Sequence, residues 1–160
     1  MPANIRDDAF VKQLARSIHH DYVAKSQARG ETNPSAVPWE ELSDDLRQAN
    51  FAQAANIGTK LEAVNAVAVP GPATAPKFHF TDKEVEDLAE AEHERWVSER
   101  IAQGWTYGEK RDNDRKIHPE LVDWAVLPER EREKDRDAIR AIPGILREAG
   151  YQILRLPPNP

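Results

Sequence analysis

Sliding the chain against itself uncovers a duplication. Residues 11–30 (VKQLARSIHHDYVAKSQARG) fall on 85–104 (VEDLAEAEHERWVSERIAQG) at a shift of 74. Val11/Val85, Leu14/Leu88, Ala15/Ala89, His19/His93, Val23/Val97, Ala28/Ala102 and Gly30/Gly104 are identical, and Tyr22 falls on Trp96. Chance supplies roughly one or two identities in so short a window. Past the loops the shift becomes 85, and Val37/Val122, Trp39/Trp124, Leu42/Leu127, Arg47/Arg132, Ile57/Ile142 and Leu61/Leu146 coincide. The loop of the second copy is therefore eleven residues longer. Neither copy is large enough to bury a stable core alone. Two diverged copies of one helix–loop–helix unit thus predict pseudo-two-fold packing in a single domain.

Local signals set the elements. Val11, Leu14, Ala15, Ile18 and Tyr22 give a helical apolar stripe over residues 5–29, stopped by Gly30. Ser43 reads as the cap of a second helix running to about Val64. Residues 65–80, with Pro70, Gly71, Pro72 and Pro76, read as a semi-rigid linker without regular structure. Thr81 with Glu84 three residues later is a capping box opening a third helix that ends near Gly104. A long polar loop follows, then a helix starting near Pro128, broken or kinked at Pro143–Gly144 and stopped at Gly150. Residues 151–156 (YQILRL) suit a short strand. The expected fold is mainly α with minor β: one domain over 1–160, with repeat 1 at about 5–64, the linker at 65–80 and repeat 2 at about 81–156.

Composition excludes several functions. The chain has no cysteine, so disulfides, thiol nucleophiles and thiolate metal sites are absent. A net charge of −6 argues against binding a nucleic-acid polymer, whose affinity rests on phosphate neutralisation. No membrane span or signal peptide is legible, which predicts a cytoplasmic protein. The five histidines make no zinc spacing, and nucleophile-elbow and phosphate-loop motifs are missing. Glu92, Glu94 and Glu99 are plentiful carboxylates, but nothing singles one out as a base. The expectation is a protein that is not an enzyme and carries no cofactor or metal.

Ligand chemistry concentrates in the longer loop. Residues 105–121 (WTYGEKRDNDRKIHPEL) hold Trp105, Tyr107, Lys110, Arg111, Arg115 and Lys116, a locally basic and aromatic patch on an acidic chain. Aromatic faces beside guanidinium forks suit a base-plus-phosphate ligand. The alternative is that Trp105 and Tyr107 cover the edge of the core while the charges face water. Tyr22 and Trp96 each lie three residues after a histidine, His19 and His93, on one helix face. They either clamp a flat ring across the seam of the two copies or simply pack a symmetric core.

The second copy resembles the ryanodine-receptor repeat, the RyR domain, of the bacterial or phage stand-alone type. The resemblance is carried by residues 88–132 and continues to Ala149: HERW at 93–96, GWTYG at 104–108, Arg111–Asp112, His118–Pro119 and Leu127–Pro128. The first copy, 14–61, is similar to the divergent half of such proteins, with PWEEL and LRQANFAQA as markers, and lacks the GW–YG–RD loop. The resemblance implies a regulatory module rather than a channel. It further implies a cleft between the repeats for an adenine nucleotide, with Trp96 stacking the base and Arg100 and Arg111 taking phosphates. The first-half equivalents are Tyr22 and Ser26, the latter without charge.

The expected function is thus a ligand sensor for a nucleotide-derived anion such as ADP-ribose, a cyclic nucleotide or an adenine nucleotide, in a signalling or antiphage defence setting. Trp96 and Tyr22 form the stacking platform, Arg100 and Arg111 the clamps, and His19 and His93 orient the ring edges. Trp105, Tyr107, Arg115, Arg47 and Asn50 rank second. The rivals are a protein-interaction module docking through the 105–121 loop and an enzyme degrading or sequestering a nucleotide messenger. A homodimer or an attached effector domain remains open, and no membrane partner is expected.

Overall fold

A computed structural model describes residues 8–158 and is mainly helical with short strands. In chain order come α1 (Asp8–Ala28), a 3₁₀ turn (Trp39–Glu41), α2 (Asp44–Ala55), α3 (Ile57–Ala63), β1 (Ala66–Pro70), α4 (Asp82–Ala102), β2 (Thr106–Tyr107), β3 (Ile117–His118), a second 3₁₀ turn (Trp124–Val126), α5 (Glu129–Glu148) and β4 (Tyr151–Arg155). The duplication is written into these bounds. α1 and α4 begin and end 74 residues apart. The two 3₁₀ turns, the helix starts Asp44 and Glu129, the helix ends Ala63 and Glu148, and the strands β1 and β4 are each 85 apart.

The chain divides into two compact units, one built from residues up to His79 together with Ala141 onward, the other from Phe80–Arg140. In the first, α1 packs on α2 and α3 packs on β1. Leu14, Ala15, Ile18, Leu42, Ala54, Ile57, Leu61, Ile142, Leu146 and Ile153 are buried there. β1 pairs antiparallel with β4, from Ala66↔Arg155 to Pro70↔Tyr151, centred on Ala68↔Ile153. Those central residues are repeat equivalents, so the ladder is two-fold symmetric about its midpoint. Its flanking bonds are equivalents too: Leu156 N–H donates to Asn65 O at 2.8 Å and Gly71 N–H to Gly150 O at 3.0 Å. Asn65 and Gly150 both take positive φ, 55° and 88°, as the residues that turn each helix into its strand.

In the second unit, α4 opens on the expected capping box: Thr81 Oγ accepts from Glu84 N–H, and the Glu84 carboxylate accepts from Thr81 N–H. Val85, Leu88, Ala89, Trp105, Trp124, Leu127 and Ile139 are buried in this unit. The loop after α4 folds back on itself, with β2 and β3 paired in parallel as Thr106↔Ile117 and Tyr107↔His118. Gly108 is required at this approach, since a Cβ there would stand 2.3 Å from Ile117 Cγ2.

Several sequence expectations need correction. The Pro-rich segment is not free of regular structure: Ala66, Ala68 and Ile153 alternate inward and hold β1 in the ladder, and Pro70 sits at its end, where a missing N–H is tolerated. The helix after Ser43 is interrupted at Asn56, which ends α2 and starts α3. The last helix runs through Pro143 without ending, because Ile139, Ile142, Ile145 and Leu146 are buried at helical spacing on both sides of it. The expected start of the first helix at residue 5 lies outside the described residues. None of the described helices is long and apolar enough to cross a membrane.

Candidate functional site

The geometry of the site starts at the end of α4. Gly104, at φ 89°, lets the chain reverse; its N–H donates to Ile101 O at 3.0 Å and Trp105 N–H donates to Arg100 O at 2.9 Å. This double closure is a Schellman motif, which brings the side chain two places past the cap against the last turn of the helix. Here it sets the Arg100 guanidinium 5.2 Å from the Trp105 ring centre. Trp96, one turn earlier, presents its ring 5.7 Å from the same guanidinium. Arg100 is buried, also donates to Gln103 Oε1 at 3.0 Å, and is held as a planar cation against two indoles. Lys116, in the left-handed region at φ 56°, donates to Gln103 O at 2.9 Å and ties the loop to the helix end.

The first copy makes the same reversal, with Gly30 N–H on Gln27 O and Glu31 N–H on Ser26 O. The equivalents of Arg100 and Trp105 there are Ser26 and Glu31, so the backbone is repeated and the cation–indole pair is not. Ser26 is buried, and Asn33 reaches both it and the Tyr22 hydroxyl.

His118 completes the cluster in the second unit. Its ring meets Trp96 edge-on, with centroids 4.9 Å apart and planes at 77°. Nδ1 accepts Glu120 N–H at 3.1 Å, so a neutral ring carries its proton on Nε2. Burial, then the positive charges of Arg111 and Arg100, pull the pKa of His118 down to about 3. Arg111 is half-buried and donates from Nε to Asn113 Oδ1 at 3.0 Å. Two cations therefore converge on one neutral imidazole beside a half-buried tryptophan.

The remaining candidates divide by unit. His93 is buried, donates from Nε2 to Val122 O at 2.7 Å and stacks on Trp96 at 6.0 Å and 28°. His19 does the same with Val37 O at 2.7 Å and with Tyr22 at 6.2 Å and 29°. Each histidine thus backs its aromatic and anchors the strand-like approach to a 3₁₀ turn. Trp105 is buried, as the core-edge reading has it, and its Nε1–H is without a hydrogen-bond partner. Tyr107 is 58% exposed, and Arg115 is exposed beside Asp112 at 3.7 Å. Arg47 donates to Trp39 O and Glu40 O at 3.0 and 2.8 Å, and Asn50 to Leu46 O at 3.0 Å, so both brace local backbone in the first unit. Glu92 and Glu99 both accept from Arg95, at 2.7 and 2.6 Å.

Residues 79–155 match the RyR domain family. This segment is similar to a RyR domain. The match takes in the whole Trp96–Arg100–Trp105–Arg111–His118 cluster.

Sequence reasoning left His118 without a site role and missed the acidic groups behind it. Burial first, then the Glu131 carboxyl on α5, pushes the pKa of Glu120 up to about 9. Burial, with Glu92 and Glu131 nearby, raises Asp135 to about 7, and its Oδ2 stands 3.6 Å from His93 Nδ1. These residues come from three separate segments of the matched region, so no local spacing announces them. Among the described residues no group of His, Asp and Glu forms a metal site.

Proposed function

We propose that the RyR domain binds a nucleotide-derived anion on the cluster around Trp96, with Arg100 and Arg111 meeting its phosphates, and acts as a non-catalytic sensor. The observation that carries this reading is the placement of Arg100 against both Trp96 and Trp105, with Arg111 acting on the same neutral His118. A planar cation fixed on aromatic faces is pre-organised for charge-assisted, bidentate contact with phosphate oxygens. The half-buried Trp96 ring offers a stacking face to a base. ADP-ribose, its cyclic isomers, cyclic nucleotides and adenine nucleotides all combine these features, and the match to the RyR family supports the choice. A signalling role in antiphage defence would follow from recognition of such a messenger.

A thermal melting screen against these compounds tests the proposal. A ligand at a hundred times its Kd adds about 2.7 kcal/mol of stability. For a chain of this size that raises Tm by roughly 5–10 °C. Unchanged melting with every compound contradicts the reading.

A further inference from the structure

Trp105 is 6% exposed, and its Nε1–H is buried with no hydrogen-bond partner among the described residues. An indole N–H can only donate. A buried donor left in this state is rare, because it has given up its hydration and received no acceptor in return.

The side chains against the Trp105 ring cannot supply one. Arg100, whose guanidinium lies 5.2 Å from the ring centre, is a donor only. The His118 ring, 6.2 Å away, has its lone pair on Nδ1 taken by Glu120 N–H, which leaves Nε2–H, another donor. The acceptors at this end of α4 are already engaged. Arg100 O takes the Trp105 backbone N–H at 2.9 Å, Gln103 O takes Lys116 Nζ at 2.9 Å, and Gln103 Oε1 takes Arg100 Nη1 at 3.0 Å. The Glu99 carboxylate accepts from Arg95 at 2.6 Å and from Gln103 Nε2 at 3.4 Å. The first copy has the opposite chemistry: Glu31 stands where the second copy has Trp105, and its carboxylate lies 4.0 Å from Arg29.

We propose that Trp105 Nε1–H is a binding donor of the site, giving its hydrogen bond to a phosphate oxygen of the ligand beside Arg100. The inference rests on the binding site proposed above and names a further group in it. Trp105 serves that site twice. Its ring face carries the Arg100 guanidinium, and its N–H edge meets the phosphate that Arg100 attracts. The indole is neutral, so it adds direction to the contact while Arg100 and Arg111 add charge. A group that only donates, such as the amino group of adenine, finds no acceptor here. The phosphate end of the ligand is thereby directed to Trp105. Glu31 would repel the same oxyanion in the first copy, so each chain takes one phosphate group in this way.

The test follows the indole N–H signals of nitrogen-15-labelled protein by NMR as ADP and, separately, inorganic pyrophosphate are added. Trp105→Phe assigns the Trp105 signal by its loss. In the wild type that signal should move downfield and saturate with the Kd that calorimetry gives for ADP, at one ADP per chain. Trp105→Phe keeps an aromatic face for Arg100 and removes the donor. Its ADP affinity should fall about tenfold, with the salt dependence of the wild type, since no charge is lost. Wild-type affinity in Trp105→Phe, or a Trp105 signal that stays in place as ADP saturates the protein, overturns the proposal: the indole then holds a trapped water only. If Trp105→Phe does not fold, the signal is assigned through the backbone and the wild-type titration decides. Should ADP leave the protein unbound while pyrophosphate shifts the Trp105 signal, the nucleotide reading falls and the donor stands. If neither compound shifts it, the donor falls.

Discussion

Arg100 and Trp105 are locked together by their own backbone: Trp105 N–H donates to Arg100 O at 2.9 Å, and the Arg100 guanidinium lies 5.2 Å from the Trp105 ring. A helix-termination motif has thus been used to build a rigid cation on an aromatic face. The same motif in the first copy joins Ser26 to Glu31 and builds no such face.

Arg100→Lys tests the stack directly. Lysine keeps the charge and loses the planar contact with two indoles. Stability in urea unfolding should drop by about 1–2 kcal/mol. Wild-type stability would mean that the charge alone matters.

Trp105 and Tyr107 are neighbours in sequence with opposite surroundings. Trp105 is 6% exposed and Tyr107 58%. Trp105→Ala should lose about 3–5 kcal/mol of folding free energy. Tyr107→Ala should stay within about 0.5 kcal/mol of the wild type. Equal losses in denaturant melts would contradict the placement of the loop.

His118 should remain neutral in mild acid. Its folded pKa of about 3 lies below the unfolded value, so the unfolded chain takes up a proton first as pH falls. Its contribution to stability is complete above the unfolded value near 6.5 and is lost as pH falls from there toward 3. Nitrogen-15 NMR should show an unprotonated Nδ1 at pH 4.5. A normal midpoint near 6.5 would contradict the buried, cation-flanked setting.

The duplication made most of the fold legible. Shifts of 74 and 85 in the sequence reappear as the spacing of helices, 3₁₀ turns and strands. What escaped was decided by partners distant in sequence. β1 hides in a Pro-rich stretch because its pattern of Ala66 and Ala68 acquires meaning only opposite Ile153. Pro143 reads as a breaker, yet Ile142 and Leu146 keep the helix whole through burial. At the site, Arg111 stood out in the basic, aromatic loop, whereas Trp96 and Arg100 on α4 were picked out by the repeat and by the resemblance to the RyR family. The acidic groups Glu120, Glu131 and Asp135 were not, since carboxyls on a loop and on a helix look like ordinary surface charge in the sequence.

The most direct measurement is ADP-ribose affinity, by calorimetry, for the wild type, Trp96→Ala and Arg111→Ala, with the melting temperature of each free protein. Trp96 is half-buried and Arg111 lies on the loop, so both variants should fold. Trp96→Ala should lose roughly 1–3 kcal/mol of binding free energy, as expected for one stacked base. Arg111→Ala should lose about 1.5–3 kcal/mol, as for a hydrogen bond to a charged group, with a weaker dependence on salt. If both variants bind as tightly as the wild type, or if Trp96→Ala unfolds the domain, the tryptophan belongs to the core and the account of the site is wrong.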